Sequence, residues 1–328
     1  SWGIYLPEKI ETAAEIAAAS GIPEDVIIKK MGVKQKHIAG DDDHCSQMAA
    51  RAGQQALERG GISPRDIDLI IYHGSEYKDH FVWSAATHVQ QLIGAENAAA
   101  FEIYALCAGA PVAIKTARAI MLDDDSIKNV LLVTASREND LVNYKNPRVR
   151  YMYNFGAGGG AMLLQRGYER NRVLSSAVIS DSSVSAAVYM PGGGSRCPVI
   201  TGCVNPELYQ FDVIDLKLLE QRLGLVSMPN FKSVILESVK NSGYIPDDIG
   251  FLGMVHMKRS FHDALLAELN LSSNQSVYLD LYGHMQSVDQ IMAIELGHNA
   301  GLLIEGRLAV LAGAGAGYTW SASSVLWG

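Results

Sequence analysis

One passage of this chain is written twice. Gly61-Ile62-Ser63-Pro64-Arg65-Asp66-Ile67-Asp68-Leu69-Ile70-Ile71 returns as Gly243-Tyr244-Ile245-Pro246-Asp247-Asp248-Ile249-Gly250-Phe251-Leu252-Gly253. In each copy a helix ends, Gly-x-x-Pro-x-Asp-Ile makes a turn, and an apolar strand follows. A repeat of this kind implies two duplicated halves that pack on each other. A second echo agrees: Asn129-Val130-Leu131-Leu132-Val133 and Gly306-Arg307-Leu308-Ala309-Val310 each open a buried-strand run.

Between the copies, helical and strand patterns alternate. Hydrophobic spacing predicts helices over 12–20, 45–59, 83–93, 110–122, 215–223, 231–241, 258–269 and 286–297. It predicts strands over 2–6, 67–73, 99–105, 129–135, 160–165, 173–181, 251–256, 276–281, 307–312 and 318–327. Alternation of this kind gives a layered α/β fold with mostly buried sheets. At 328 residues and 48% hydrophobic, the chain can bury two such units. The irregular stretch 183–212 reads as the crossover between them. The chain opens at Ser1-Trp2-Gly3-Ile4-Tyr5, and a preceding methionine and part of a first strand are expected.

The reactive residues fall at strand ends. Cys107 follows the apolar run Phe101-Glu102-Ile103-Tyr104-Ala105-Leu106 and precedes a helical stretch. A thiol there faces the positive end of a helix dipole, which favours thiolate. The second-half strand runs into Met254-Val255-His256, and the strand expected over 276–281 leads to Tyr282-Gly283-His284. In α/β folds, reactive groups collect at the carboxyl ends of strands. The remaining cysteines, Cys45, Cys197 and Cys203, read as structural and reduced, with no C-x-x-C spacing. The other histidines show no metal-ligand spacing, so no metal is expected.

The net charge of −8 argues against nucleic acid as a partner. No apolar run is long enough to cross a bilayer, and no secretory segment is visible, so a cytoplasmic protein is expected. Two glycine-rich stretches, Phe155–Ala161 and Ala312–Gly317, run into strands rather than helices and lack the Lys-Ser/Thr ending of a phosphate loop. They read as tight backbone packing or as bare N–H groups for an oxyanion.

These landmarks together resemble the β-ketoacyl-acyl-carrier-protein synthase III group of the thiolase superfamily. They are Ala100–Gly109 around Cys107, Asn154–Ala161, Met190-Pro191-Gly192-Gly193-Gly194-Ser195-Arg196, Val255-His256, Tyr282-Gly283-His284, and Gly315-Ala316-Gly317-Tyr318-Thr319-Trp320. The resemblance covers nearly the whole chain. It implies a thiolase-like five-layered α-β-α-β-α fold built from two βαβαβαββ halves, 1–170 carrying the nucleophile and 171–328 carrying the histidines. It also implies a homodimer, no tightly bound cofactor, and coenzyme A or acyl-carrier-protein thioesters as substrates.

By that resemblance Cys107 is acylated from a primer. The backbone N–H groups of Cys107 and Ala316 form the oxyanion hole. His256 and His284 stabilise the enolate formed as a malonyl thioester loses CO2, in a fatty acid or polyketide pathway. The sequence departs from the group in named places. His284 stands where Asn is usual, Met257-Lys258-Arg259 where Gln-Ala-Asn is common, and Val26 and Lys30 where a Trp and an Arg typically meet coenzyme A. The loss of Asn opens an alternative, acyl transfer to an oxygen, nitrogen or sulfur acceptor without condensation. Gly74-Ser75-Glu76 looks like the Gly-Thr-Glu of hydroxymethylglutaryl-coenzyme A synthases, which gives a third reading with Glu76 as acid/base. Lys30, Arg148, Arg150, Arg196 and Arg259 are candidate contacts for the phosphates of coenzyme A or phosphopantetheine.

Overall fold

A computed structural model describes residues 1–202 and 205–328. Its strands form two main sheets. The first runs, edge to edge, Trp2–Tyr5, Gly158–Gln165, Asn129–Ser136, Leu69–Gly74, Ala99–Tyr104. The second runs Arg172–Ser180, Thr319–Leu326, Leu308–Gly315, Ile249–Met254. The sense of pairing repeats as well. Two antiparallel pairs are followed by a parallel one in each sheet. The first sheet then adds the parallel edge strand Ala99–Tyr104. The second has only a parallel bridge from Leu252 to Ser276 in the matching place.

That bridge is all that remains of the strand expected over 276–281. The Ser276 hydroxyl donates to the Leu252 carbonyl (2.7 Å) and the Gln275 amide to the Ile249 carbonyl (2.8 Å). Side chains here take ladder positions that backbone N–H groups would otherwise fill. A second difference concerns the helices expected over 215–223 and 231–241. They are one helix, Leu216–Asn241, continuous through Pro229. Proline removes a hydrogen bond and disfavours the preceding turn, but the packing of Phe231, Val234, Ile235 and Val239 into the core outweighs it.

Helices fill three layers around the sheets. Cys45–Gly60 and Ala85–Ile93 cover the outer face of the first sheet; Leu216–Asn241 and Arg259–Glu268 cover the far side of the second. Gly109–Asp123 and Asp289–Asn299 lie between and touch both sheets. The glycines of Gly158-Gly159-Gly160 are inside a strand rather than ahead of one. A Cβ on Gly159 would stand 2.3 Å from the Met48 carbonyl oxygen, so the bare backbone lets the helix Cys45–Gly60 lie against the sheet.

One cysteine reading needs correction. Cys197 is disulfide-bonded, whereas Cys45 and Cys107 are free thiols; Cys203 lies outside the described residues. No helix among the described residues is long and apolar enough to cross a membrane.

Candidate active site

Cys107 sits on a sharp elbow. The strand Ala99–Tyr104 ends, Leu106 takes a left-handed conformation (φ 49°), and a short 3-10 turn over Leu106–Ala108 feeds the helix Gly109–Asp123. Leu106 is a branched residue in a region that costs energy, so its surroundings must impose the shape. They come from both halves. Gly109 leaves 3.3 Å between a would-be Cβ and each of Gly74 N, His73 Nδ1 and Ser287 Cβ. From the second half, Ser321 donates to the Ala108 carbonyl (2.8 Å) and the Gln290 amide to the Cys107 carbonyl (2.9 Å).

His284 is brought to the sulfur. Its Nε2 lies 3.0 Å from Cys107 Sγ and its Nδ1 2.5 Å from Asp289 Oδ2. Its main chain is gripped by the first half: the His284 N–H donates to the Asn154 carbonyl (2.8 Å) and the Gly156 N–H to the His284 carbonyl (2.9 Å). Gly283 takes φ 73°, and a Cβ there would fall 2.4 Å from Asn154 O. The Phe155 ring meets the imidazole edge-on at 5.0 Å. Behind this loop the fully buried Lys36 donates to the carbonyls of Tyr153 (2.8 Å) and Phe155 (2.6 Å). Burial pushes that ammonium down to about 8, against the pull of Glu11. The first glycine-rich stretch thus serves to hold an imidazole in place.

Asp289, the first residue of the helix Asp289–Asn299, is fully buried and accepts three hydrogen bonds. Besides His284 Nδ1 these come from the backbone N–H of His256 (2.7 Å, Oδ2) and of Met285 (2.7 Å, Oδ1). Burial opposes a charged His284, but the negative charges of Cys107 and Asp289 and the hydrogen bonds to both outweigh it. The imidazole is held well above its ordinary 6.5. A carboxylate only accepts, so Nδ1 carries a proton and Nε2 is the atom that exchanges one with the sulfur.

His256 follows the strand Ile249–Met254 and is 5% exposed. Burial pushes it down to about 4, and the charge on His284 adds to this against the pull of Asp289, so the ring is neutral at pH 7. Neither ring nitrogen has a hydrogen-bond partner; the Gly32 backbone approaches the ring without hydrogen-bond geometry. Its ring packs 4.9 Å from Tyr278, whose hydroxyl donates to the Met257 carbonyl (2.7 Å). The Arg259 guanidinium covers the same tyrosine at 4.9 Å.

The other sequence candidates separate. Ala316 follows the strand Leu308–Gly315, and Gly315 brings that strand against the elbow, where a Cβ would meet Ala105 O at 2.3 Å. The turn bearing Lys30 packs against the helix that begins at Arg259. Arg148 is taken up by Asp212 and Arg150 by the Pro147 carbonyl (3.2 Å), while Arg196 lies exposed in the crossover. Glu76 is exposed just past the end of the strand Leu69–Gly74, with its charge felt by Tyr104; among the described residues no hydrogen bond joins it to Cys107, His256 or His284. A cavity of about 810 Å³ lies elsewhere, walled by Trp2, Arg118, Arg166 and His298 among others and by none of the three site residues. Size alone does not locate the chemistry. Sequence reasoning missed Asp289, Gln290 and Tyr278. The one available signal was an acidic residue five positions after His284 at a helix start.

A thiol, an imidazole and a carboxylate stand in series between two sheets of matching strand order, on a thiolase-like α/β fold. The chain belongs to the 3-oxoacyl-[acyl-carrier-protein] synthase III family. The family's N-terminal model matches residues 101–182 and its C-terminal model residues 239–327. The chain is 29% identical over 327 residues to the β-ketoacyl-[acyl-carrier-protein] synthase III of Caldanaerobacter subterraneus subsp. tengcongensis, covering 99% of this chain and 96% of that protein. Among solved structures, β-ketoacyl-[acyl-carrier-protein] synthase III of Thermus thermophilus superposes with a TM-score of 0.86 at 23% identity, covering 100% and 98% of the two chains. An acyltransferase, ChlB3, superposes with a TM-score of 0.77 at 20% identity, covering 99% and 95%.

Proposed function

We propose that this enzyme loads an acyl group onto Cys107 and condenses it with a malonyl thioester, releasing CO2. The observation that carries the reading is the 3.0 Å approach of His284 Nε2 to Cys107 Sγ. Cys107 passes its proton to Nε2 and its sulfur attacks the primer thioester. The N–H groups of Cys107 and Ala316 receive the oxyanion. The carrier thiol leaves with the proton returned by His284. The malonyl carboxyl then departs as CO2, and its electron pair forms an enolate. An N–H of His256 holds that charge, together with Nε2 of His284 once it has taken up a proton from solvent, the one proton that the overall condensation consumes. The enolate carbon attacks the acyl carbonyl, and Cys107 leaves as thiolate. Each fixed donor of this kind contributes ~3–4 kcal/mol. The neutral, unpartnered ring of His256 suits this role, since it gives up no existing hydrogen bond to take it.

One observation favours a second reading, acyl transfer to an oxygen, nitrogen or sulfur acceptor. Asp289 holds His284 with its proton on Nδ1. In the neutral imidazole Nε2 is then a base, suited to deprotonating an alcohol, amine or thiol that attacks the acyl-cysteine. ChlB3, an acyltransferase that superposes on this fold, is in keeping with it. The test is to acylate the enzyme, then offer malonyl-coenzyme A labelled in its free carboxyl. Labelled CO2 with a lengthened product supports condensation. An acyl-enzyme that persists with malonyl-coenzyme A but is discharged by hydroxylamine or glycerol supports transfer.

The substrates we propose are acyl thioesters of coenzyme A or acyl carrier protein, with Lys30 and Arg259, on neighbouring elements, meeting the phosphates. Each half, 1–170 and 171–328, is read as one unit of a duplication. We propose a homodimer through the open edge strand Ala99–Tyr104. Its Phe101 and Tyr104 are exposed, as are Phe81 and Val82 nearby in sequence, and an uncovered apolar edge invites pairing with another strand. We assign the enzyme to the cytoplasm with its thioester substrates; the Cys197 disulfide is then a bond that has to persist in a reducing compartment.

A further inference from the structure

Gln290 is the residue the proposed chemistry leaves unused. It is fully buried in the second position of the helix Asp289–Asn299, next to the carboxylate that holds His284. Its Nε2 donates to the Cys107 carbonyl at 2.9 Å and lies 3.5 Å from the Ala312 carbonyl. Both neighbours are acceptors, so the amide orientation is fixed: turned over, Oε1 would face two carbonyl oxygens. Its Oε1 has no partner, and a buried unpaired oxygen destabilises a fold. An apolar side chain would carry no such penalty.

The two carbonyls belong to the two elements that supply the oxyanion N–H groups. Cys107 carries one N–H itself. Ala312 is in the strand that runs on through Gly313, Ala314 and Gly315 to Ala316, which carries the other. Gly313 makes the contact possible: a Cβ there would stand 2.4 Å from Gln290 Nε2 and 2.5 Å from the Cys107 carbonyl oxygen. We infer that Gln290 is the positioning residue of the oxyanion hole, a carboxamide tie that sets the spacing between the Cys107 and Ala316 N–H groups. It acts through the backbone and touches no substrate. Asp289 and Gln290, adjacent in sequence, thus divide the work: one orients the imidazole, the other the oxyanion donors.

The inference rests on the proposed acylation of Cys107, and the experiment separates the two. Acetyl, butyryl and benzoyl thioesters of N-acetylcysteamine are offered to wild type and to Gln290→Met, which keeps the shape and loses the donor; acyl-enzyme is followed by intact mass. In parallel, Cys107 is alkylated with iodoacetamide, a reaction that needs a basic sulfur and no oxyanion hole. The expected result is acylation slowed at least about 30-fold, part of the roughly 10²–10³-fold that loss of a whole oxyanion donor costs, with alkylation within twofold of wild type. Acylation at the wild-type rate overturns the tie, and so does an equal fall in both reactions, which would assign Gln290 to the thiol–imidazole pair. Should Gln290→Met not fold, Gln290→Asn, whose shorter arm withdraws the amide, is read by the same two rates. A wild type that takes no acyl group from any of the three thioesters while its thiol alkylates overturns the proposed function, and the tie with it.

Discussion

His284 Nδ1 stands 2.5 Å from Oδ2 of Asp289, and the same oxygen accepts the backbone N–H of His256. A single buried carboxylate therefore fixes both the ring of one histidine and the chain of the other. Neither histidine can shift without disturbing the other's anchor. The arrangement explains why the charge on His284 persists at a fully enclosed position.

Asp289→Asn tests that anchor. An amide presents an NH2 where two backbone N–H groups and an imidazole N–H all need an acceptor. The imidazole then loses its tautomer, and acylation of Cys107 is expected to fall on the order of 10⁴-fold, as when an orienting carboxylate is changed to its amide in a comparable triad. Acyl-enzyme mass against time reads the rate. A fall under tenfold would mean that the carboxylate serves the fold alone.

His284→Asn separates carbon from heteroatom acceptors. Asparagine donates a hydrogen bond to an enolate but takes no proton from an alcohol or amine. Starting from enzyme already acylated on Cys107, condensation is expected to continue at or above the wild-type rate, with transfer to hydroxylamine or glycerol down about 10²–10⁴-fold. Labelled CO2 and acylated acceptor are measured side by side. Loss of CO2 release with transfer retained would reverse the assignment.

The sequence carried the duplicated architecture because its repeat brackets equivalent strands, and the two sheets preserve the same strand order and sense. It pointed to Cys107 and His256 because each follows an apolar strand, and to His284 through an expected strand that the structure reduces to a single bridge. It did not carry Asp289, since one acidic residue among many at a helix start looks like any residue complementing the helix dipole. Its role depends on a turn from 284 to 289 whose shape is set by contacts to Asn154 and Gly156, far away in sequence. The strand expected over 276–281 failed for a related reason: alternation in Ser276-Val277-Tyr278-Leu279-Asp280 was genuine, but Tyr278 is spent on His256 and Arg259 rather than on a ladder.

Acid should unfold this protein through its buried histidines. Burial pushes His256 down to about 4 and His73 to about 3, against 6.5 for an unfolded chain. The unfolded state therefore binds protons first. Their contribution is complete above pH 6.5 and is lost as pH falls toward 4 and then 3, by on the order of 3 kcal/mol for each at pH 4. His284 runs the opposite way: held above 6.5, its contribution is full below that value and lost as pH rises through the raised one. Among the described residues the His73 ring makes one hydrogen bond, to the Ser287 hydroxyl (3.2 Å), so His73→Leu should flatten the decline between pH 6.5 and 4 in chemical denaturation. An acid limb as steep as wild type would sink the assignment.

The last expectation concerns packing. Gly159 is the second residue of the strand Gly158–Gln165, opposite Tyr5 on one side and Ala135 on the other. Its missing side chain admits the Met48 carbonyl, 2.3 Å from where a Cβ would be, with the Met48 carbonyl carbon at 2.5 Å. Both atoms are helix backbone, which cannot rotate aside as a side chain could. Gly159→Ala must lift the helix Cys45–Gly60 off the sheet, at a cost of about 1–3 kcal/mol or more. Gly61, at the end of the same helix with φ 64° and nothing near its would-be Cβ, is the contrasting case. Gly61→Asn tolerates the left-handed conformation and should cost well under about 1 kcal/mol. Melting temperatures of the two variants decide it: equal shifts would mean that the close approach of helix to sheet is not what keeps residue 159 bare.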